Sequence, residues 1–294
     1  MTRDHPLLPF AVTLAGVGLF SLMDALMKDA AIAVGAYSAL LLRCAIGLAL
    51  IGPVWLARRK GWPARPALRL YLTRGVVGAA MAFTFFWGIA RIPLAEAIAL
   101  SFVAPLIALY LAAILLGERI KPGAVWASLL GLAGVAVIAS ARMGEGGATG
   151  EEGWGIGSIL LSSLLYAWNL VLQRQQALLA QPVEMATFQA GGMGQALLLF
   201  APWLLDMPAR ETWPVIGAAA VLSVVAGLLF AWSYARAEAQ ALVPLEYSGF
   251  LWASLFGWLF FAEGVRLPVL LGAVAIVASC WIAAPRRRTE QTAI

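Results

Sequence analysis

The stretch that decides the fold is Trp87–Glu118, WGIARIPLAEAIALSFVAPLIALYLAAILLGE, which recurs in altered form as Trp232–Glu263, WSYARAEAQALVPLEYSGFLWASLFGWLFFAE. The two copies align without a gap at an offset of 145 residues. Each begins with Trp, continues through Ala-Arg (Arg91 and Arg236) and runs an apolar stretch into a final Glu. Because the chain has 294 residues, this offset indicates that the sequence consists of two repeats, each about half of its length.

The composition places the chain in a membrane. Hydrophobic residues make up 62% of it, charged residues 12%, and the mean hydropathy is +0.88. Soluble domains carry about 45–50% apolar and about 25% charged residues. This chain therefore has too few polar and charged residues to form a water-facing surface. The two cysteines, Cys44 and Cys280, lie in apolar stretches, which suits neither a disulfide framework nor a metal site.

Ten apolar stretches are each long enough to cross a bilayer, which takes about 20 residues of α-helix. They are continuously apolar and do not alternate with a period of two, which favours helices over a β-barrel. We therefore predict an all-α integral membrane protein with ten transmembrane helices in two inverted five-helix repeats. The predicted spans are 7–27, 33–56, 71–90, 93–116, 123–141, 154–173, 183–205, 213–235, 239–261 and 267–284.

The predicted domains follow from these spans. The first repeat covers 1–141, a Gly-rich acidic external linker covers 142–152, the second repeat covers 153–285, and a basic cytoplasmic tail covers 286–294. Placing the N-terminus inside assigns thirteen Lys and Arg residues to the cytoplasm and five to the outside, a clear positive-inside bias. Both termini are therefore predicted to be cytoplasmic, in a bacterial-type inner (plasma) membrane.

Five helices per half is an odd number, so the second half enters the membrane from the opposite side to the first. Such an inverted repeat supplies two related conformations, one open to each side, and a site near the midplane between the halves. The function that this architecture best explains is transport.

Two sets of residues carry a family resemblance. They are Pro105, Gly117-Glu118-Arg119, Gly131 and Gly134 in the first half, and Pro244-Leu-Glu-Tyr, Gly257, Glu263, Pro268 and Gly272 in the second. Both sets resemble the EamA domain of the drug/metabolite transporter superfamily, and the resemblance covers almost the whole chain. It implies a compact ten-helix transporter whose cavity is lined largely by helices 3, 4, 8 and 9. Many members export amino acids or related metabolites, and the YddG-like amino-acid exporters have this size and helix count.

Ionisable residues inside spans are functional candidates because their burial in lipid is costly. Arg43, halfway through helix 2, is a candidate counter-ion for a substrate carboxylate, or else forms a structural pair. Glu246, just after Pro244, could bind a substrate ammonium or exchange a proton, or else pair with an Arg. Glu96 is a second candidate for proton coupling, unless it simply reaches water. Asp24 is predicted to form a surface pair with Lys28, four residues on.

Aromatic and polar residues on the repeated helices are candidates to line the cavity, where aromatic faces suit an ammonium or an aromatic side chain. Plain helix packing is the alternative for each of them. These candidates are Trp87, Trp168, Asn169, Trp232, Tyr247, Phe102 and Tyr166. Gating candidates are Arg91, Glu118, Arg236 and Glu263, which end the repeated helices. The two Glu residues could pair across the gate with an Arg or a helix N-terminus, or else simply face water at the membrane interface.

Enzyme signatures are absent from the sequence. The single histidine, His5, lies in the N-terminal tail, and no G-x-x-x-x-G-K-[ST] stretch occurs. We therefore predict no catalytic residues, no metal site, no cofactor and no nucleic-acid partner. The expected partners are a small-molecule substrate, an amino acid or a related metabolite, and the lipid bilayer, with the protein a monomer or weak homodimer.

The predicted function is a secondary transporter that exports amino acids, including aromatic or other neutral ones, by alternating access. Two alternatives remain open at this point. The substrate could be another metabolite, such as a nucleoside-like or cationic compound, or the protein could be a membrane scaffold that transports nothing.

Overall fold

The computed structural model describes residues 7–59, 61–104, 106–107, 110–111, 122–143, 150–177, 179–234, 236, 242 and 245–283. Within these ranges the regular structure is helical and no strand occurs, which confirms the all-α prediction. One helical turn, Ala201–Leu204, follows α7. The longer helices are α1 (Leu8–Val34), α2 (Ala36–Arg58), α3 (Arg65–Ile89), α4 (Leu94–Ser101), α5 (Pro122–Met143), α6 (Gly150–Ala177), α7 (Pro182–Leu198), α8 (Thr212–Tyr234), α9 (Gly249–Phe261) and α10 (Leu267–Ala283).

Several helix ends follow directly from the sequence. Gly35, with φ +82°, is the single residue between α1 and α2, and its lack of a Cβ permits that conformation. Pro66 and Pro182 lie in the first turns of α3 and α7, where a missing N–H leaves no helical hydrogen bond unmade. We call the end of the bundle that carries Gly35 the Gly35 side, and the end where α1 begins the Leu8 side.

Within the described ranges, five helices are long and apolar enough to span a bilayer: α1, α2, α3, Gly150–Gln173 of α6 and Thr212–Ser233 of α8. Shorter apolar helices occur at Leu129–Ile138, Gly249–Phe261 and Leu267–Ser279. The number of ten spans stays a prediction. The predicted sites and segments that fall outside the described ranges include Glu118, the middle of the linker at 144–149, and the basic tail at 286–294.

The helices pack in a pattern that repeats between the halves. Each helix has its counterpart five helices further on. α1 packs along α8, and its counterpart α6 packs along α3. The pairs α2–α7, α4–α9 and α5–α10 each join a helix to its own counterpart. Each of these pairs joins a helix of the first half to a helix of the second, and the set of pairs is the same when the two halves are exchanged. The two repeats therefore interlock through most of their helices.

Hydrogen bonds fix the relative direction of the two halves. Lys28, near the end of α1, donates to the carbonyl of Ile92, just beyond the end of α3. Gln176, near the end of α6, instead accepts from Arg74 near the start of α3. The equivalent helices α1 and α6 therefore run in opposite directions relative to α3, as an inverted repeat requires.

Glycine contacts allow two of these pairs to approach closely. A Cβ placed on Gly75 in α3 would lie 2.6 Å from the carbonyl carbon of Gly192 in α7. A Cβ placed on Gly134 in α5 would lie 2.7 Å from the carbonyl oxygen of Gly272 in α10. Small residues at such crossings let helix backbones touch, which is how helices associate in lipid without a hydrophobic driving force.

Candidate functional site

α4 and α9 are interrupted at matching positions. α4 ends at Ser101, and a break precedes the start of α9. The N–H of Val103 in the first break and the N–H of Ser248 in the second each donate to the carbonyl three residues earlier, at 3.2 and 3.0 Å. These donors are 145 residues apart, so the interruption belongs to the repeat. From the helix rise, the breaks lie about 12 Å and about 20 Å from the Gly35-side ends, on either side of the middle of a bilayer core about 30 Å thick.

The two breaks meet through their aromatic side chains. Phe102 and Tyr247, which are also 145 residues apart, contact edge to face with ring centroids 5.1 Å apart. Glu246 adjoins this pair and is half-buried. The structure thus brings together three residues that the sequence singled out separately. Interrupted helices that meet near the midplane are where secondary transporters of this kind hold their substrates.

A second polar cluster joins α3 to α6 on the Leu8 side of the breaks. The guanidinium of Arg74 is buried, and each of its nitrogens donates to a neutral amide oxygen. Nε donates to Asn169 Oδ1 at 3.3 Å, Nη2 donates to Gln173 Oε1 at 3.1 Å, and Nη1 donates to Gln176 Oε1. Asn169 therefore has a defined partner, and Arg74 is a buried cation that the sequence analysis did not select.

Tyr166 links this cluster to the helix break. It precedes Asn169 by three residues and so lies on the same face of α6. The phenol is half-buried and within electrostatic range of both Arg74 and Glu246. Tyr166 is thus close enough to interact electrostatically with charges from α3 and from the α9 break.

Arg43 occupies a separate position among four helices. Its Nη1 donates to Ser223 Oγ of α8 at 3.2 Å and contacts Met23 Sδ of α1 at 3.7 Å. The guanidinium lies 5.4 Å from the ring centroid of Phe86 in α3, and Asp24 is within electrostatic range. Among the described residues its buried Nε has no hydrogen-bond partner. Arg43 thus has a carboxylate nearby, unlike Arg74.

A clasp on the Gly35 side, which we define as Lys28, Glu263 and the start of α4, joins α1 and the end of α9 to α4. The Lys28 ammonium forms an ion pair with Glu263 Oε1 and donates to the Ile92 carbonyl at 2.8 Å. Glu263 Oε2 accepts from the Leu94 N–H at 2.8 Å. Glu263 therefore contacts a helix N-terminus, as expected, and the cation that it pairs with is Lys28.

The predicted surface pair of Asp24 and Lys28 is wrong. α1 continues seven residues past the predicted end at 27, which places Lys28 inside the helix, where it is 4% exposed. A buried ammonium needs a close anion, and Glu263 supplies it from 235 residues away. Asp24 instead interacts electrostatically with Arg43.

The repeated Trp-x-x-x-Arg motif has the same geometry in both halves. Arg91 Nη1 donates to the Trp87 carbonyl at 2.9 Å, and its Cζ lies 3.4 Å from a Trp87 ring centroid. Arg236 makes the same two contacts with Trp232, at 3.3 and 4.1 Å. Each Arg therefore covers the C-terminal end of its own helix, where a cation also complements the helix dipole.

The remaining candidates are Trp168, Glu96 and Glu118. Trp168 is 44% exposed and shares an exposed stripe of α6 with Leu161 and Leu164, on a different face from Asn169. Glu96 is buried in the first turn of α4, close in sequence to the clasp. Glu118 lies outside the residues that the structure describes.

The sequence did contain a signal for Arg74. Of the 20 Lys and Arg residues, eighteen were assigned to one side of the membrane or the other by the topology argument. The two that remain, Arg43 and Arg74, are both inside spans. Arg74 was missed because it stands only a few residues into the predicted span at 71–90, where a cation is ordinarily taken to reach the interface.

Two interlocked helical halves that meet at paired helix interruptions are typical of transporters built from inverted repeats. The chain belongs to the EamA-like transporter family, whose sequence profile matches residues 9–140 and 153–284. This confirms the resemblance seen in the sequence and the prediction that the protein is a multi-pass membrane transporter and not an enzyme.

Individual relatives are similar at low identity. The pseudopaline exporter CntI of Pseudomonas aeruginosa strain UCBPP-PA14 is 27% identical over 89% of this chain and 90% of its own. An uncharacterized transporter of Helicobacter pylori strain J99 is 29% identical over 70% of each chain. The riboflavin transporter of Rhizobium johnstonii is 28% identical over 75% of this chain and 72% of its own. A solved crystal structure at 22% identity covers 94% of this chain and 95% of its own with a TM-score of 0.64, which shows the same fold.

Proposed function

We propose that this transporter exports amino acids, or small metabolites derived from them, across a bacterial inner membrane by alternating access. The two halves rock about the substrate, which sits at the breaks of α4 and α9. Ten spans with both termini in the cytoplasm place the Leu8 side inside and the Gly35 side outside. The clasp is then the external gate.

The proposal rests on one observation. The interruptions of α4 and α9 fall at equivalent positions of the two repeats, and they meet at Phe102 and Tyr247 beside Glu246. A carboxylate next to two aromatic rings is suited to a substrate ammonium, through charge and through cation–π attraction. Glu246 is also placed to exchange a proton with the cavity. Arg43 is the residue that the sequence proposes for the substrate carboxylate.

The direction of transport draws support from the exporter CntI among the relatives. The substrate class rests on the chemistry of the break, since the relatives are named for different compounds, pseudopaline and riboflavin.

Counterflow in proteoliposomes tests the function. Vesicles loaded with unlabelled amino acids are diluted into medium with a trace of labelled amino acid, and a transporter then accumulates label transiently. The panel holds neutral, aromatic, acidic and basic amino acids, with riboflavin, a nucleoside and an organic cation for comparison. We expect accumulation of at least one neutral amino acid. Accumulation of only the comparison compounds would overturn the amino-acid assignment, and no flux of any solute would favour the scaffold alternative.

Proton coupling is tested in the same vesicles with an imposed pH gradient. If Glu246 exchanges protons, the gradient should drive uptake by the wild type but not by Glu246→Gln. Uptake by the wild type that is indifferent to the gradient would exclude this role.

A further inference from the structure

We infer that a groove along α10 binds an anionic phospholipid, with one acyl chain in the groove and the head group attracted by Arg286, Arg287 and Arg288. The groove lies between α10 and the breaks of α4 and α9, and we call it the α10 groove. Such a site requires only that the chain spans a membrane, so it does not depend on which solute is transported.

The α10 groove is lined by apolar side chains. Its volume is about 590 Å³, and its described walls include one stripe of α10, from Leu270 to Ile282, and the aromatic pair Phe102 and Tyr247. Among the described lining residues, the polar side-chain groups are the Tyr247 hydroxyl and the Trp281 indole N–H, and no side chain is charged. Apolar cavities stay free of water, so an apolar ligand suits the groove and a charged solute does not.

The open side of the α10 groove faces the bilayer. Val274 of α10 is 60% exposed and Leu251 of α9 is 68% exposed, and both belong to apolar helices of a membrane transporter. Exposed apolar side chains in such helices contact lipid tails, because the bilayer core contains no water to meet them. An acyl chain is therefore the molecule that reaches this groove from its surroundings.

The length of the α10 groove matches one leaflet. Leu270 and Ile282 are twelve residues apart, which is about 18 Å along an α-helix. Half of a bilayer core is about 15 Å thick. α10 begins just after the clasp on the Gly35 side and so ends on the Leu8 side, where the exposed Trp281 lies. Because Trp side chains favour the membrane interface, we assign the bound lipid to the Leu8-side leaflet.

The charge beyond α10 selects the head group. Arg286, Arg287 and Arg288 follow Ala283, the last residue of α10, by three to five residues. A chain extends at most about 3.6 Å per residue, so the Cα atoms of Arg286 and Ala283 are within about 11 Å of each other. Basic residues directly beyond a span attract anionic lipid head groups. The same lipid thus places its chain in the groove and its phosphate near the three arginines.

The bound chain contacts the helix breaks. Phe102 and Tyr247 form part of the groove wall, and they are also the pair through which the two breaks meet. A ligand that binds the folded protein stabilises it. Occupation of the α10 groove should therefore raise the melting temperature of the protein.

Lipid binding to the purified full-length protein tests the site. The delipidated protein is titrated with phosphatidylglycerol, which is anionic, and with phosphatidylcholine of the same acyl chains, which is zwitterionic. Native mass spectrometry measures the affinities, and thermal unfolding is followed in parallel. We expect the wild type to bind phosphatidylglycerol at least tenfold more tightly than phosphatidylcholine and to melt at a higher temperature with it.

Two sets of variants separate the groove from the arginines. Ala278→Phe fills the groove and should weaken the binding of both lipids at least tenfold, whereas Ala218→Phe, at an exposed position of α8, is the matched control and should bind both as the wild type does. Replacing the three arginines together by Gln should remove the preference for phosphatidylglycerol and leave phosphatidylcholine binding unchanged. Wild-type binding by Ala278→Phe, or equal affinity of the wild type for the two lipids, would overturn the inference.

A labelled cysteine tests the same site if Ala278→Phe does not fold. In a background of Cys44→Ser and Cys280→Ser, a fluorophore is attached to Val274→Cys or, as the control, to Ala218→Cys. Phosphatidylglycerol with brominated acyl chains should quench the label at 274 at lower concentrations than the label at 218, and equal quenching would overturn the inference. Disulfide-linked dimers of Val274→Cys in proteoliposomes would show that a second copy covers the groove, which also overturns it.

Discussion

Three cations within the described helices are stabilised in three different ways: Lys28 and Arg74 are buried, and Arg43 is half-buried. Lys28 has a carboxylate in direct contact. Arg43 has an aromatic face at 5.4 Å, a hydroxyl and a more distant carboxylate. Arg74 has only amide oxygens as acceptors within the described structure. Because burying an unpaired charge is costly, the ion pair of Lys28 and the amides around Arg74 are each needed to hold these cations in place.

The Lys28–Glu263 pair should be important for stability. Glu263→Gln leaves the Lys28 ammonium buried without its anion, and we expect a loss of about 3 kcal/mol in the free energy of unfolding. Denaturation of the purified protein in detergent measures it. Glu211→Gln, on an exposed loop, is the matched control and should have no effect.

The double variant Lys28→Met with Glu263→Gln distinguishes pairing from packing. It removes both charges, so it should be clearly more stable than Glu263→Gln alone. Equal or additive losses would mean that the two side chains are not coupled.

Single residues were predicted from the sequence only in part. Glu246, Phe102, Tyr247 and Tyr166 were each selected from the sequence because ionisable and aromatic groups inside apolar helices are few, and their binding role stays a prediction. The partner of Lys28 could not be predicted, since it lies 235 residues away and depends on how α1 and α9 are rotated against each other.

At the scale of helices, close crossings depend on glycine. Gly75→Ala would place a methyl group 2.6 Å from the backbone of Gly192, so α3 and α7 would have to separate. We expect a clear drop in thermal stability and weaker transport. Gly217→Ala in α8 is the matched control, because nothing lies within 4 Å of its Cβ position. There alanine should be neutral, or stabilising by up to about 1 kcal/mol through helix propensity. Equal melting temperatures for the two variants would contradict this.

Helix ends were more predictable than helix breaks. The predicted starts of α7, α8 and α10 differ from the observed ones by at most one residue, because loops in a membrane protein are marked by polar residues and prolines. The spans predicted at 93–116 and 239–261 ran through both breaks. Pro105 was the signal in the first half, since its missing N–H leaves the Ser101 carbonyl without a helical donor. The second half has Ser248 and Gly249 instead, and low helix propensity alone was too weak to locate the break.

At the scale of the whole molecule, the two halves interlock, so we expect the Gly35 side to open by separation of α9 from α4. The Cβ of Leu94 and a Cβ placed on Gly257 would be 3.7 Å apart, which suits a disulfide. In a background of Cys44→Ser and Cys280→Ser, we expect Leu94→Cys with Gly257→Cys to stop counterflow when oxidised and to recover it on reduction. Each single cysteine variant is the control. Full counterflow in the oxidised protein would exclude opening at the clasp.

The clasp also indicates whether the proposed gates on the two sides of the membrane are equally stable when closed. At the offset of 145, Glu263 corresponds to Glu118, but Lys28 corresponds to Gln173, which is engaged with Arg74. The second half therefore has an amide at the position where the first half has Lys28. If the clasp acts as a gate, we expect the ion pair to favour the state that is shut at Lys28, by a factor of ten for every 1.4 kcal/mol or so of stabilisation. In the proposed export cycle, that state is the one that faces the compartment from which substrate is loaded.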